Sequence, residues 1–252
     1  MKIVSLCKHL ALACTLLVPT PARAWHDATH MAVAKAAGLD NLAYLAVGPD
    51  MAKEKAGDRE AKNHYHNTPK GVEITTAMVL AQVGDYNRPN DADGHLHGAI
   101  IAAVNDFLRK NSANKYALYS IGYAAHYLGD LSMPFHNIAY DDFNRAHHGA
   151  NDATVEASGP TGEATDAKVA RLAGEIQRRM RDLPPLRLPN DGSGLTQELA
   201  AEIAELANRS AALGYAMRDE QPQRTRMTEE EAYGQLAWSA RLLQAVRLAT
   251  MQ

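Results

Sequence analysis

The chain predicts an all-α fold, a single domain of many packed helices, on three observations. Alanine-rich segments repeat their apolar residues at helical spacing, alternation at strand period is hard to find, and clusters of proline and glycine punctuate the chain between the segments. Its 252 residues, 46% hydrophobic and 22% charged, have the make-up of an ordinary globular protein and exclude a collagen-like, disordered or disulfide-stapled one. Neither an internal repeat nor a linker divides it.

Residues 1–24 read as a secretory signal peptide. Lys2 and Lys8 give a positive start, Leu10 to Val18 an apolar stretch, and Ala22-Arg23-Ala24 an A-x-A cleavage pattern before Trp25. A membrane anchor is the alternative, but the run is short for a bilayer and Pro19 and Pro21 break it. Acylation at Cys14 is a weaker alternative, because Cys14 lies inside the apolar stretch. The domain proper is then 25–252, secreted or periplasmic and expected to be monomeric. Its helices are predicted at 28–47, ending near Gly48-Pro49, and at 71–84. A turn-rich loop from Asp85 to Gly94 leads to helices at 95–110 and 114–131, the latter stopped by Pro134. Residues 137–147 look irregular, and a helix starts near His148. After a loop at Ser158 to Gly162, a charged amphipathic helix covers 164–181. The longest loop follows, through Pro184, Pro185, Pro189, Gly192 and Gly194. Helices at 196–218 and 228–249 close the chain, the last behind the capping box Thr228-Glu229-Glu230-Glu231.

Cleavage before Trp25 has chemical consequences. Cys7 and Cys14 leave, so no disulfide can hold the exported domain. Three bases leave and no acid, taking the formal charge from −3 to −6, which argues against a broad footprint for duplex nucleic acid. No later segment has eighteen consecutive apolar residues, so any membrane contact is peripheral.

The histidines are not scattered at random. The densest constellation runs His126-Tyr127-Leu128-Gly129-Asp130-Leu131-Ser132-Met133-Pro134-Phe135-His136. Residues four apart share a helix face, so His126 and Asp130 project together, with Tyr123 and Tyr119 on the same face one and two turns earlier. Pro134 ends the helix and lets His136 turn back, and His148 with Asp152 repeats the pairing. One such pair is ordinarily a surface feature. Two pairs flanking His136 point to metal binding, and imidazole with carboxylate and no thiolate suits zinc in a hydrolytic site. His95 and His97 read as a solvated helix start, with a place at a substrate cleft as the alternative, and His26 as a rim residue.

Residues 126–136 fit every position of H-Y-x-G/T-D-hydrophobic-D/N/S/H-x-P-x-H. In this block, and in a mature chain beginning with Trp, the protein resembles the bacterial zinc-dependent phospholipases C and their relatives, the single-strand-specific nucleases. The tail Asn137-Ile138-Ala139 departs from the phospholipase pattern, and the nucleases' Leu-His-x-x-Trp-Asp is absent. The resemblance implies a multi-helix bundle with a trinuclear zinc site in a cleft. One ion would take Asp50, His64, His126 and Asp130, with Asp58 and His66 as competing donors. A second would take His136, His148 and Asp152, with His147 and Glu156 in reserve. A third would take His30, Asp130 as a bridge, and the α-amino nitrogen and carbonyl oxygen of Trp25.

By the same resemblance, a hydroxide held by the zinc ions attacks phosphorus, and Asp50 assists as general base although a metal-bound carboxylate is a poor one. The expected activity is hydrolysis of the glycerol-side phosphoester of a phospholipid at a membrane surface. Cleavage of single-stranded nucleic acid or 3′-nucleotides is second, set back by the few aromatic residues available for base stacking. A zinc-binding protein without catalysis is third.

Overall fold

Helix α6 (Lys115–Leu131) is the element around which the rest is assembled. Asn114 starts it, its side chain accepting from the Tyr116 N–H at 3.0 Å. Along its length Ala117, Ile121, Ala124, Ala125, Leu128 and Leu131 are buried, and full burial of each large aliphatic side chain is worth roughly 1.5–3 kcal/mol. The computed structural model describes residues 25–110 and 114–251, and the leader reading, which falls on residues 1–24, lies outside them.

The described residues form an all-α single domain. Before α6 come α1 (Asp27–Ala36), α2 (Gly48–Ala56), α3 (Asp58–Ala61), α4 (Thr76–Gln82) and α5 (Leu96–Arg109). After it come α7 (Asp142–Asp152), α8 (Thr154–Ala157), α9 (Thr165–Met180), α10 (Gly192–Asp219) and α11 (Glu229–Thr250). Helices α1, α5 and α11 pack along α6, α10 lies against α4 and α5, and α9 bridges α1 and α11. The capping box on α11 is present with both of its reciprocal bonds, through Thr228 and Glu231. None of the helices among the described residues is long and apolar enough to cross a membrane.

Three departures from the sequence reading position the site. The helix expected over 28–47 stops at Ala36. Gly38 takes a left-handed φ of +85°, and Asp40–Val47 continues as 3-10 turns. Gly48-Pro49 then opens α2 instead of closing its predecessor, because a first-turn proline gives up an N–H that has no helical partner. Downstream, α7 begins at Asp142 and not near His148. Asp141 caps it by accepting from the Asn144 N–H at 3.0 Å, and this added turn sets Asn144, His148 and Asp152 on one face. Helix α10 likewise starts early, at Gly192, with Asp191 as its cap.

The start of the described chain is tied to the motif helix. Trp25 is fully buried, and its indole N–H donates to Ser132 Oγ at 3.1 Å. The Ser132 hydroxyl in turn donates to the Gly129 carbonyl at 2.6 Å. The serine of the eleven-residue block thus holds the tryptophan.

Candidate metal centre

Five elements and a loop bring histidines and carboxylates to the inner face of α6. His126 and Asp130 come from α6 itself, His30 from α1, Asp50 from the first turn of α2, and His148 and Asp152 from α7. His136 sits on the 3-10 turn Pro134–His136. His64 lies in the loop after α3, which is laced to its surroundings: the His66 N–H donates to the His136 carbonyl at 2.8 Å and the His95 N–H to the Lys62 carbonyl at 2.9 Å. Gly94 permits that lacing, since a Cβ there would fall 2.3 Å from the Tyr65 carbonyl oxygen.

These side chains form three groups that can each hold a metal ion: His30, His126 and Asp130; Asp50, His64 and His126; and His136, His148 and Asp152. Within each group one donor atom per residue lies within 4.8 Å of the others. Asp130 is the common anion. Its Oδ1 is 3.5 Å from His30 Nε2 and 3.7 Å from His136 Nδ1, and its Oδ2 is 3.0 Å from His64 Nδ1 and 3.3 Å from His126 Nε2. None of these approaches is aligned as a hydrogen bond to Asp130, whose two oxygens are buried and unsatisfied.

The ring orientations follow from what holds the far nitrogen. His126 Nδ1 is 2.6 Å from the Ala46 carbonyl, His136 Nδ1 2.5 Å from the His64 carbonyl, and His148 Nδ1 3.1 Å from Asn144 Oδ1. Carbonyl oxygens only accept, so each Nδ1 carries the proton and each Nε2 lone pair faces inward. His64 is turned the other way. Its Nδ1 enters the cluster, 3.1 Å from His126 Nε2, and its Nε2 faces Glu60 Oε1 at 3.4 Å. Two imidazole nitrogens at that separation need a proton or a cation between them.

The donor set fits divalent cations. Both nitrogens of His30, both oxygens of Asp130 and Asp152, and His148 Nε2 are buried without hydrogen-bond partners. Leaving one such group unsatisfied costs about 1–3 kcal/mol, and more if it is charged, so this concentration calls for an external partner. Burial and the neighbouring His126 hold His30 near pKa 3, and burial holds His136 near 4. His148 is pushed well below its usual value by burial and then by His136. All three therefore present neutral imidazole at pH 7, the form that ligates. Burial opposes ionisation of Asp130, but His126 and His136 hold it well below the carboxylate range. Asp50 is held low, against burial, by His126 and Lys53. Asp152 goes the other way, pushed well up by burial and by the charge on Asp130, so a cation entering its group displaces a proton.

The competing donors of the sequence reading belong to none of the three groups, although Asp58 lines the cleft beside them. Asp58 is exposed, and His66 Nδ1 donates to the Gly94 carbonyl at 2.8 Å. His147 packs its edge on Phe143. Glu156 accepts from the Thr29 N–H and hydroxyl at 2.9 and 3.0 Å and so fastens α1 instead of meeting Asp152. The solvated reading of His95 and His97 is corrected: both are fully buried. His95 bridges Asp91 and Asn63 at 3.0 and 2.9 Å, and His97 Nε2 donates to Asn137 Oδ1 at 3.1 Å.

Burial holds His97 near pKa 3, with His66 adding to the effect. The unfolded chain, with a histidine pKa of about 6.5, binds the extra proton as pH falls through that value. Stability carried by neutral His97 is therefore full above pH 6.5 and drains away towards pH 3, by up to about 1.4 kcal/mol per pH unit. His97→Gln keeps a donor for Asn137, and its metal-free form is expected to show a shallower loss between pH 6.5 and 4 than metal-free wild type. Equal slopes in chemical denaturation overturn this.

Glu60 was not singled out from the sequence, although it stands four residues before His64. It is 5% exposed, accepts from the Tyr127 hydroxyl at 2.5 Å, and stands 3.4 Å behind His64 Nε2, which has no aligned hydrogen bond. Such supporting carboxylates are typically worth 10–100-fold in metal affinity. Glu60→Gln is expected to lower affinity by about that factor in chelator competition, with the helical signal intact. An unchanged affinity denies Glu60 this part.

A cleft of about 420 Å³ opens onto the cluster, lined by His64, His136 and His148 and rimmed by Lys53, Tyr65 and Tyr140. Lys53 Nζ lies 2.8 Å from Asp50 Oδ1, and Tyr140 is 51% exposed. No family model and no curated protein matches the chain.

Proposed function

We propose that the chain is a zinc-dependent phosphoric ester hydrolase of the phospholipase C kind, cleaving the glycerol-side phosphoester of phospholipids. The observation that supports this most is the sharing of ligands: His126 belongs to two of the three groups and Asp130 reaches histidines of all three, while His64, His136 and His148 line one cleft. Groups that share donors hold cations close enough to act on one phosphate. In this reading His30 and Asp130, with the amino nitrogen and carbonyl oxygen of Trp25, hold one zinc. Asp50, His64, His126 and Asp130 hold another, and His136, His148 and Asp152 the third. Zinc supplies water that ionises near neutral pH and positive charge for the phosphoryl oxygens. The protein's own part is positional. The far-side carbonyls fix three imidazoles, Glu60 stands behind the fourth, and Lys53 offers the cleft a cation for a phosphate oxygen. Asp50, depressed by His126 and Lys53, is a weak proton acceptor, so its assignment here is to hold metal more than to act as general base.

A second reading, a single-strand nuclease or 3′-nucleotidase, is favoured by Tyr65 and Tyr140 at the cleft, whose rings offer stacking faces for bases. Metal analysis with parallel assays on phosphatidylcholine and single-stranded DNA, each with and without chelator, separates the two. Chelator-sensitive release of diacylglycerol supports the first reading, and cleavage of DNA alone supports the second. Bound zinc with neither activity leaves a non-catalytic zinc protein.

Secretion into the periplasm or beyond belongs to the same proposal, because the α-amino group of Trp25 exists only after cleavage. With a pKa of about 7.7–8.0 it can yield its proton to a metal at neutral pH. A cytosolic form retaining Met before Trp25 is expected to bind one zinc fewer and to hydrolyse poorly. Full zinc content and activity in that form refute the role of Trp25.

A further inference from the structure

The connection between α9 and α10, with the ends of α1, α9 and α11, encloses a groove of about 1020 Å³ that shares no residue with the metal groups. Its apolar lining includes Leu183, Leu186 and Leu248, the last 51% exposed. Three arginines join them, Arg181, Arg187 and Arg241, and no acidic or aromatic side chain lines the groove among the described residues. In a chain of formal charge −3 this is a local reversal of sign. Arg181 and Arg187 are exposed and make no ion pair among the described residues. Arg241 is 9% exposed; it donates to the Pro184 carbonyl at 3.0 Å and to Glu202 at 3.1 Å, while its Nε–H is buried with no acceptor.

We infer that this groove binds an anionic phospholipid drawn from a bilayer surface, its headgroup phosphate between the arginines and an acyl chain along the leucines. The charge complementarity is with an anion, and the leucines select an amphiphilic one. Single-stranded nucleic acid is disfavoured because the groove offers no ring for a base. An extended acidic peptide is disfavoured because Pro184, Pro185 and Pro189 remove main-chain donors that a peptide backbone would pair with. The inference goes beyond the hydrolase reading and does not rest on it, since a bilayer can be held here whether or not the metal centre cleaves lipid.

The test is co-sedimentation of the zinc-loaded protein on ice with vesicles of phosphatidylcholine alone or with added phosphatidylglycerol. Wild type is expected to prefer the anionic vesicles, less so at high salt. The double variant Arg181→Gln/Arg187→Gln is expected to bind them about 30-fold more weakly, since each arginine near an anionic surface contributes about a factor of five. Its zinc content and its rate on a soluble phosphodiester, bis(4-nitrophenyl) phosphate, should match wild type. Equal binding by the variant, or no preference for phosphatidylglycerol, overturns the inference. So does a result in which the variant loses only self-association in sedimentation velocity, which would make the groove a contact between copies. Vesicle binding with no chelator-sensitive release of diacylglycerol and no hydrolysis of the soluble ester would sink the hydrolase reading and leave the groove standing.

Discussion

Asp130→Ala is expected to reduce metal-dependent hydrolysis to background and to leave the protein with about a third of the wild-type response to chelator. The carboxylate is fully buried and lies within 3.7 Å of nitrogens from His30, His64, His126 and His136. Among the described residues no other acid approaches all four, so its loss would take the shared anion from two of the proposed ion sites at once and leave the His30 group with no carboxylate. The consequence is measurable as stability. A ligand that binds only the folded state at about 1,000 times its dissociation constant adds roughly 4 kcal/mol. In a domain of this size 1 kcal/mol moves Tm by about 2–4 °C. Each ion removed from wild type by chelator should therefore lower Tm by about 8–16 °C. The alanine variant should keep only the ion of the His136 group, shift by about 8–16 °C on adding chelator, and carry two fewer ions per chain by elemental analysis. A variant that keeps the wild-type ion count and chelator response would remove Asp130 from the centre of the site.

Much of this site could be read along the chain because four of its side chains sit as pairs one turn apart on two helices. His126 and Asp130 are one turn apart on α6, His148 and Asp152 one turn apart on α7, and Pro134 stops α6 where His136 must turn inward. Period and punctuation carry that information. What could not be read depends on contacts between segments remote in sequence. The continuous helix expected over 28–47 ignored Gly38, whose positive φ redirects the chain and lets Gly48-Pro49 open the helix that carries Asp50. The alanines on both sides gave no warning, since they suit a helix equally well. His95 and His97 looked solvated beside Asp91 and Asp93, yet they are buried by Asn63 and Asn137, residues 32 and 40 positions away. Glu156 looked like a reserve ligand for the α7 pair, but Thr29 claims it across 127 residues. Glu60 is the exception, visible in principle as an i, i+4 partner of His64, and overlooked because the helix beneath it has only four residues.

Gly129→Ala is expected to cost the His30 group its ion while leaving the rest of the helix sound. Gly129 lies inside α6, so the residue is not there for an unusual backbone; it is there for room. A Cβ at this position would stand 2.5 Å from His30 Nδ1 and 2.9 Å from Cε1. The ring has no easy retreat, because it is fully buried and stacked on His126 with centroids 3.8 Å apart. The added methyl must therefore push α1 from α6 or rotate His30 out of line with Asp130, at a packing cost of about 1–3 kcal/mol. Alanine's better helix propensity returns about 1 kcal/mol, so the net change in stability of the metal-free protein is small. Metal content is the sharper readout, with one ion lost per chain and affinity at the His136 group retained. The double variant His30→Ala/Gly129→Ala relieves the clash and should recover any lost stability without recovering the ion, a non-additive pattern expected only of residues in contact. If Gly129→Ala keeps every ion and the wild-type Tm, then α1 does not press His30 against the motif helix, and the group built on His30 has to be abandoned.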